Sequence, residues 1–528
     1  MFVPLTPLDF ERRATRLFGA QIGVVDGERR FTYREFGDRV SRLANAMGSL
    51  DVAPGDRVAF LAYNCHQLLE AYYGVVSAGA VLLPLNIRLT TDELTYILNH
   101  SEARVLFLDS DFLPLYQRMQ PSLQTVRDVI LLEGEPPSGF VGHSYEALLA
   151  AARPIRPELA IDENAMAELF YTSGSTGPPK GVVMTHRNLY LHAMYCQGAL
   201  KMGDRSTVLH AVPLFHVNGW GTPHYLTMNG GRHVMLRKFD PATICRLIQD
   251  EQVSFFGGVP TMFNALLALP DLDTYDLSSL QRVVIGGAPS SPKLIEAIEK
   301  RLGCEALSGY GLTETCPLLT VADKKITVGD ETDAARYQRQ ATTGLPVAGI
   351  DLRVVDTEGR DVPADNLTIG EIVVSSNTVM AGYYRDPAAT AAVIVDGWFH
   401  TGDMAVHDRE GYVTIVDRKK DIIISGGENI SSIEVEQVLA AHPAVYECAV
   451  VAVPDPHWGE VPKAFVALKP DRAATAEELI AHCRTHLAGF KSPKSIEFRE
   501  ALPKGGTGKI LKKDLREPYW QGIEKRVH

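Results

Sequence analysis

The stretch from Tyr171 to Val182 reads YTSGSTGPPKGV and packs four Ser/Thr hydroxyls, three glycines, two prolines and one lysine into twelve residues. Gly and Pro oppose both helix interiors and central strands, so this stretch forms a loop. Its flanks are apolar: Leu169-Phe170, after Glu168, on one side and Val182-Val183-Met184 on the other. That is the pattern of two buried strands holding a loop, and a free Gly/Ser linker fits it poorly. Backbone N–H groups and hydroxyls in such a loop can close around phosphate oxygens, with Lys180 as a point charge. It is not a Walker A loop. Counting from Gly174, the second required glycine falls on Pro179, and Lys180 is followed by Gly181.

With 528 residues the chain exceeds one ordinary domain, and two or three are expected. Residues 57–109 alternate strand-like and helix-like runs: RVAFLAY, HQLLEAYYGVVSAG, AVLLPL, TTDELTYILNH and RVLFLD. Thr90 and Glu93 have capping-box spacing. A second alternating run follows the phosphate loop, through STVLHAVP, VSFFGGVP, TMFNALLAL, RVVIGG and SPKLIEAIEKRL. Such alternation predicts a mostly parallel sheet. Residues 322–343 are polar and poorly periodic and read as a surface excursion. Short β-like runs from Ile350 to Val416 predict a small antiparallel sheet or barrel. The remaining residues, after DRKKD, form a compact C-terminal unit.

Composition excludes several function classes. Hydrophobic content of 45% and charged content of 22% are those of a soluble globular protein. The opening residues MFVPLTPLDFERR lack the basic region and apolar run expected of a signal peptide, and the apolar run 71–85 is interrupted by Gly74, Gly79 and Pro84 and is too short for a membrane span. Seven scattered cysteines without a C-x-x-C pair point to a reducing compartment and against a zinc site, so a cytoplasmic location is expected. A net charge of −12 argues against nucleic acid as a partner, although residues 485–528 carry ten Lys/Arg against five Asp/Glu.

Further motifs follow in order. PLFHVNGW (213–220) sets His216 and Trp220 four apart, IGGAP (285–289) ends an apolar run, and SGYGLTE (308–314) flanks Tyr310 with Gly309 and Gly311. FHTGD (399–403) ends in an Asp on a Gly turn, DRKKD (417–421) is a charge run, SGGENI (425–430) has paired glycines, and LPKGGTGKILKKDLR (502–516) puts Lys509 on a Gly-rich turn. Each alone has a bland reading as packing, a turn or a solvated face.

In this order the motifs resemble the adenylate-forming superfamily (acyl-CoA synthetases, adenylation domains and firefly-type luciferases), and the resemblance covers essentially the whole chain. It implies an α/β fold. A large N-terminal domain of two α/β subdomains plus a small β-barrel spans residues 1–418, residues 419–421 form a hinge, and a smaller mobile α+β C-terminal domain spans 422–528. It implies that Thr172, Ser173, Gly174, Ser175, Thr176, Gly177 and Lys180 hold the ATP phosphates. Gly287, Ala288 and Pro289 would pack on adenine with Gly309, Tyr310 and Gly311. Thr313 would contact phosphate, Glu314 with Thr176 would hold Mg²⁺, and Asp403 and Arg418 would bind ribose. His216, Val217, Trp220, Gly286, Gly287 and Gly311 would wall the acid pocket. Lys509 resembles the catalytic lysine of the first half-reaction, beside His216, Thr313 and Glu314. Lys420 matches the hinge position, and with Ser425, Gly426 and Gly427 it would line the CoA tunnel.

The implied activity is an ATP-dependent acid–CoA ligase working through an acyl-adenylate, with ATP, Mg²⁺ and CoA. Medium- or long-chain fatty acids lead, and a short thioether acid such as methylmercaptopropionate, or an aryl acid, comes next. No carrier domain follows His528, which favours free CoA as acceptor, and base rates suggest a homodimer. Rival readings are an amino-acid adenylating enzyme, a luciferase-like oxygenase and a non-catalytic nucleotide-binding regulator. The first usually carries an early pocket Asp that is not evident here. The last would be expected to lack Lys509 or Glu314, and this chain keeps both.

Overall fold

The computed structural model describes residues 2–134, 140, 142–172, 178–426, 428–504 and 510–521. The expectations for Ser173, Gly174, Ser175, Thr176, Gly177, Gly427 and Lys509 lie outside the described residues. The chain divides into two compact units, residues 1–351 with 375–399, and residues 352–374 with 400–528.

In the first unit the alternating runs build two mixed sheets. One has parallel strands Val81–Pro84, Arg57–Leu61, Ala103–Leu108 and Asp128–Leu131. Strand Met166–Thr172 lies parallel to Val81–Pro84, and Lys180–Thr185 returns antiparallel beside it. The other sheet is built on a parallel run, in spatial order Arg232–Met235, Thr207–His210, Phe255–Gly258, Arg282–Ile285 and Glu305–Gly311. Strands covered on both faces read as continuous apolar runs, as Val81–Pro84 does, buried throughout. Helix His66–Ser77 is buried at every position, which explains why it lacks a polar stripe. The capping box forms: Glu93 N donates to Thr90 Oγ1 at 3.3 Å and Thr90 N to Glu93 Oε2 at 2.8 Å.

The excursion at 322–343 is more ordered than its polarity suggests. It contains helix Asp333–Gln340, N-capped by Thr332. Only Tyr337 and Gln340 are buried, and Gln340 Nε2 donates to Glu299 Oε1 at 2.7 Å. Two anchors in eight residues are too few to leave a visible period.

The second unit opens with a sheet from Asp351–Val355, Gly370–Ser375, Trp398–His407 and Val413–Arg418, the small β structure expected from the sequence. Its other sheet uses Ile423–Ser425, Glu428–Ile430, Val445–Asp455, Gly459–Leu468 and Ser495–Phe498, with helices Ser432–Ala440, Ala476–His486 and Lys512–Trp520.

Candidate functional site

Parallel strands put their carboxyl ends side by side, and ligands bind outside that edge in open α/β sheets. Gly258 is in register with Ile285, and Ile285 with Ser308. Gly286–Pro289 therefore emerges next to Gly309–Gly311, two motifs distant in sequence. Strand Thr207–His210 pairs with Phe255–Gly258 and sends Pro213–Trp220 out beside them. Gly287, Ala288, Pro289 and Gly311 are exposed there, while Tyr310 is half-buried. Gly311 admits no larger residue, because an added Cβ would lie 1.6 Å from the Pro317 carbonyl oxygen.

Trp220 and Val217 lie on an unusual turn. Val217, Asn218, Gly219 and Trp220 all have positive φ, at 37°, 42°, 53° and 61°. Non-Gly residues adopt this region at a cost, and a β-branched one is an outlier. The turn lays the indole on Gly257 and Gly286: a Cβ at either would stand 3.0 or 2.9 Å from the ring. Behind Trp220 is a cavity of about 20 Å³, lined by His210, Val212, Tyr225, Phe255 and Val284 among others. His216 immediately precedes the turn, and its carbonyl accepts from Gly219 N at 3.1 Å.

The strands that flank the expected phosphate loop are in register at their ends, Thr172 opposite Lys180. Gly382–Tyr383 adds a third strand, Tyr383 opposite Val182. The Lys180 ammonium lies 5.0 Å from the centre of the Tyr383 ring, a cation–π contact. Tyr383 Oη in turn donates to Glu314 Oε1 at 3.0 Å, and Met380 N to the Glu314 carbonyl at 2.8 Å. Burial, then the Glu314 charge, pushes the Tyr383 phenol well above its ordinary range, so it stays a donor. Glu314 follows buried Thr313 on the single turn Thr313–Thr315. Tyr383, not singled out in the sequence, thus connects Lys180 to Glu314. The only signal was an aromatic pair, Tyr383-Tyr384, before Arg-Asp-Pro.

Among the described residues no group of three His, Cys, Asp or Glu is arranged to hold a metal. A single carboxylate fits Mg²⁺, which keeps waters and phosphate oxygens around itself. Glu314 is the carboxylate expected to play that part.

In the second unit Asp403 and Arg418 face each other across adjacent strands, Arg418 Nε 2.6 Å from Asp403 Oδ1. Asp403 is buried, and its backbone N donates to Thr401 Oγ1 at 3.1 Å. The two residues expected to bind ribose are therefore in contact. Lys419 pairs with Glu371 at 3.0 Å, and this partner together with His400 holds the Glu371 carboxyl below its usual range despite burial. Burial depresses the Lys420 amine, and Arg516 Nη1 donates to the Lys420 carbonyl at 2.9 Å and to Asp421 at 2.7 Å. Ser425 is buried, and Gly426 N donates to the Trp458 carbonyl at 2.8 Å. Trp458, also not singled out, is 47% exposed beside this turn.

The sequence profile of the AMP-binding enzyme family matches residues 10–384, and that of the AMP-binding enzyme C-terminal domain matches 434–509. A long-chain-fatty-acid–CoA ligase of Thermus thermophilus is 40% identical over 97% of this chain and 95% of its own. A 3-methylmercaptopropionyl-CoA ligase of Ruegeria pomeroyi is 37% identical over 98% of each chain. An anthranilate CoA ligase solved in complex with anthranoyl-AMP superposes with a TM-score of 0.89 at 28% identity, covering 98% of both chains.

Proposed function

We propose, from the premise that this chain belongs to the AMP-binding enzyme family, that it activates a monocarboxylic acid with a neutral, apolar tail, medium- and long-chain fatty acids first. The chain is an acid–CoA ligase, and it works with ATP, Mg²⁺ and CoA. The observation that carries the substrate reading is the wall behind Trp220: Val212, Phe255 and Val284 line it with the indole, beside His210, Thr222 and Tyr225, and among the described residues no carboxylate or ammonium does. Such a wall favours tails that gain by leaving water. A compact acid, a short thioether or aryl acid, is the second reading. It is favoured by the cavity's size, about 20 Å³, where one water needs roughly 10–15 Å³. A long tail must displace Trp220.

The chemistry explains the residue types. An acid oxygen attacks the α-phosphorus of ATP and pyrophosphate leaves, so an anion approaches a polyanion. Catalysis is positioning plus charge stabilisation. Lys180, set against Tyr383, holds the β- and γ-phosphates. Bound Mg²⁺ neutralises phosphate charge, and Glu314 with Thr176 are the residues proposed to hold it. Lys509 bridges the carboxylate and the α-phosphate, and Asp403 with Arg418 fixes the ribose. Thioester formation then needs the thiol of CoA where Lys509 stood. A rotation about Lys420, presenting Ser425, Gly426 and Gly427, supplies that. A cytoplasmic location and a homodimer belong to the same proposal.

Acid-dependent ATP–pyrophosphate exchange over C4 to C18 fatty acids, methylmercaptopropionate and benzoate, with and without CoA, tests this reading. Exchange peaking at medium or long chains, with the matching acyl-CoA formed, is the expected result. Exchange confined to methylmercaptopropionate or benzoate selects the second reading, and none with any acid overturns both.

A further inference from the structure

Glu168 is a carboxylate with no place in the chemistry above, yet it is completely buried, four residues before Thr172 on the strand leading to the phosphate loop. A buried carboxylate is costly unless it is partnered. Its partners are Asn218 and His224, also completely buried. Asn218 Nδ2 donates to Glu168 Oε2 at 3.2 Å, and His224 Nε2 lies 2.7 Å from Glu168 Oε1. Asn218 is on the left-handed turn that presents Trp220, and His224 is in the first turn of helix Thr222–Asn229 just after it. Glu168 thus grips the pocket turn on both sides of Trp220.

Two tyrosines complete the grip. Tyr72 Oη donates to the Leu214 carbonyl at 2.6 Å and Tyr73 Oη to the Pro223 carbonyl at 2.7 Å, while both rings meet the His224 imidazole edge-on at 5.7 and 5.9 Å. Glu168, Tyr72 and Tyr73, none of which lines the cavity at Trp220, thus hold segment 214–224 at Leu214, Asn218, Pro223 and His224. Strained backbone persists where its surroundings over-determine it, and here those surroundings are visible.

We infer that Glu168 is a positioning residue for acid selection: it holds Asn218 and His224 so that the left-handed turn keeps Trp220 across the acyl pocket. The inference rests on the acid-pocket reading proposed above. It makes a chemical distinction. The Asn218 Oδ1 and His224 Nδ1 atoms are buried without hydrogen-bond partners, so an Asn flip or a tautomer change can accommodate an amide at position 168. Glu168→Gln keeps the grip, and Glu168→Met, similar in length, loses it.

The test compares full-length wild type, Glu168→Gln and Glu168→Met for acid KM, ATP KM, chain-length profile and thermal midpoint. Expected for Glu168→Met is an acid KM raised at least ~10-fold with a flattened chain-length profile and an ATP KM within about twofold, with Glu168→Gln near wild type. An unchanged acid KM and profile, or acid and ATP KM rising together, overturns the inference in favour of a core ion pair. If Glu168→Met does not fold, Asn218→Gly takes its place under the same criteria, because Gly adopts φ of 42° freely. Trp220 emission, read as the difference between each protein and its Trp220→Phe counterpart, needs no substrate. A red shift in the methionine or glycine variant supports the grip and an unchanged difference spectrum overturns it. Wild type inactive towards every acid would instead overturn the acid-pocket reading itself, and the Trp220 difference spectrum would still test the grip.

Discussion

The Tyr383 hydroxyl donates to Glu314 Oε1 at 3.0 Å while the face of the same ring meets the Lys180 ammonium at 5.0 Å. One aromatic side chain thus spaces the two opposite charges proposed to serve the triphosphate and its metal. Without it, a lysine and a glutamate so placed could close on each other and neutralise the site.

Tyr383→Phe keeps the ring and removes the donor. A hydrogen bond to a charged group contributes about 1.5–3 kcal/mol, so adenylation is expected to fall roughly 10- to 100-fold. Pyrophosphate exchange titrated with Mg²⁺ should show a raised metal requirement. An unchanged Mg²⁺ dependence would separate Tyr383 from the metal site.

Trp220→Gly removes the indole while suiting φ of 61°. Longer acids should gain, by up to about fourfold in kcat/KM per added methylene that reaches the vacated space, from about 0.8 kcal/mol per buried CH₂. Short acids should lose. A chain-length profile identical to wild type would remove Trp220 from the acid pocket.

The two half-reactions are expected to part company in two variants. Lys509→Ala should slow adenylation by at least ~10²–10³-fold yet largely spare thioester formation from supplied acyl-adenylate. Lys420→Pro, which fixes φ but leaves the carbonyl that Arg516 grips, should do the reverse and depress thioester formation about tenfold more than adenylation. Equal losses in both half-reactions would defeat the corresponding assignment.

Acid should destabilise the first unit through its buried histidines. Burial holds His186 down at about 4 and His192 and His210 down at about 3, against 6.5 unfolded. Below pH 6.5 the unfolded chain binds protons that the folded chain refuses. Their contribution is therefore complete above pH 6.5 and declines as pH falls towards 3–4, by about 1.4 kcal/mol per unit for each. Thermal midpoints from pH 8 to 5 should be flat above 6.5 and drop below it. His186→Gln, which can still hydrogen-bond Thr6, should shallow that drop.

Lys180, Glu314 and Asp403 were singled out because each sits in a short contiguous motif, and the roles proposed for them came from the family that the order of those motifs resembles. Tyr383 was not, since its partners Lys180 and Glu314 come from two other segments, and Trp458 is named as a neighbour of Gly426 only by the pairing of Ser425 with Gly459. The helix at 333–340 was missed for the opposite reason, a lack of apolar period. Glu168 looked like a polar interruption in an apolar flank.

By itself the sequence determined the alternating architecture and the order of the motifs, and the resemblance carried by that order implied the class of chemistry. The architecture and the motifs depend on local composition and period, which act between residues a few positions apart. Only the tertiary structure decided which strand ends lie together, that Trp220 rests on Gly257 and Gly286, and that Glu168 grips Asn218 and His224. These contacts join residues up to 66 positions apart, Trp220 to Gly286 the widest. Parallel strands create such contacts, because crossover connections return the chain to the same edge after tens of residues, and no local pattern records where it lands.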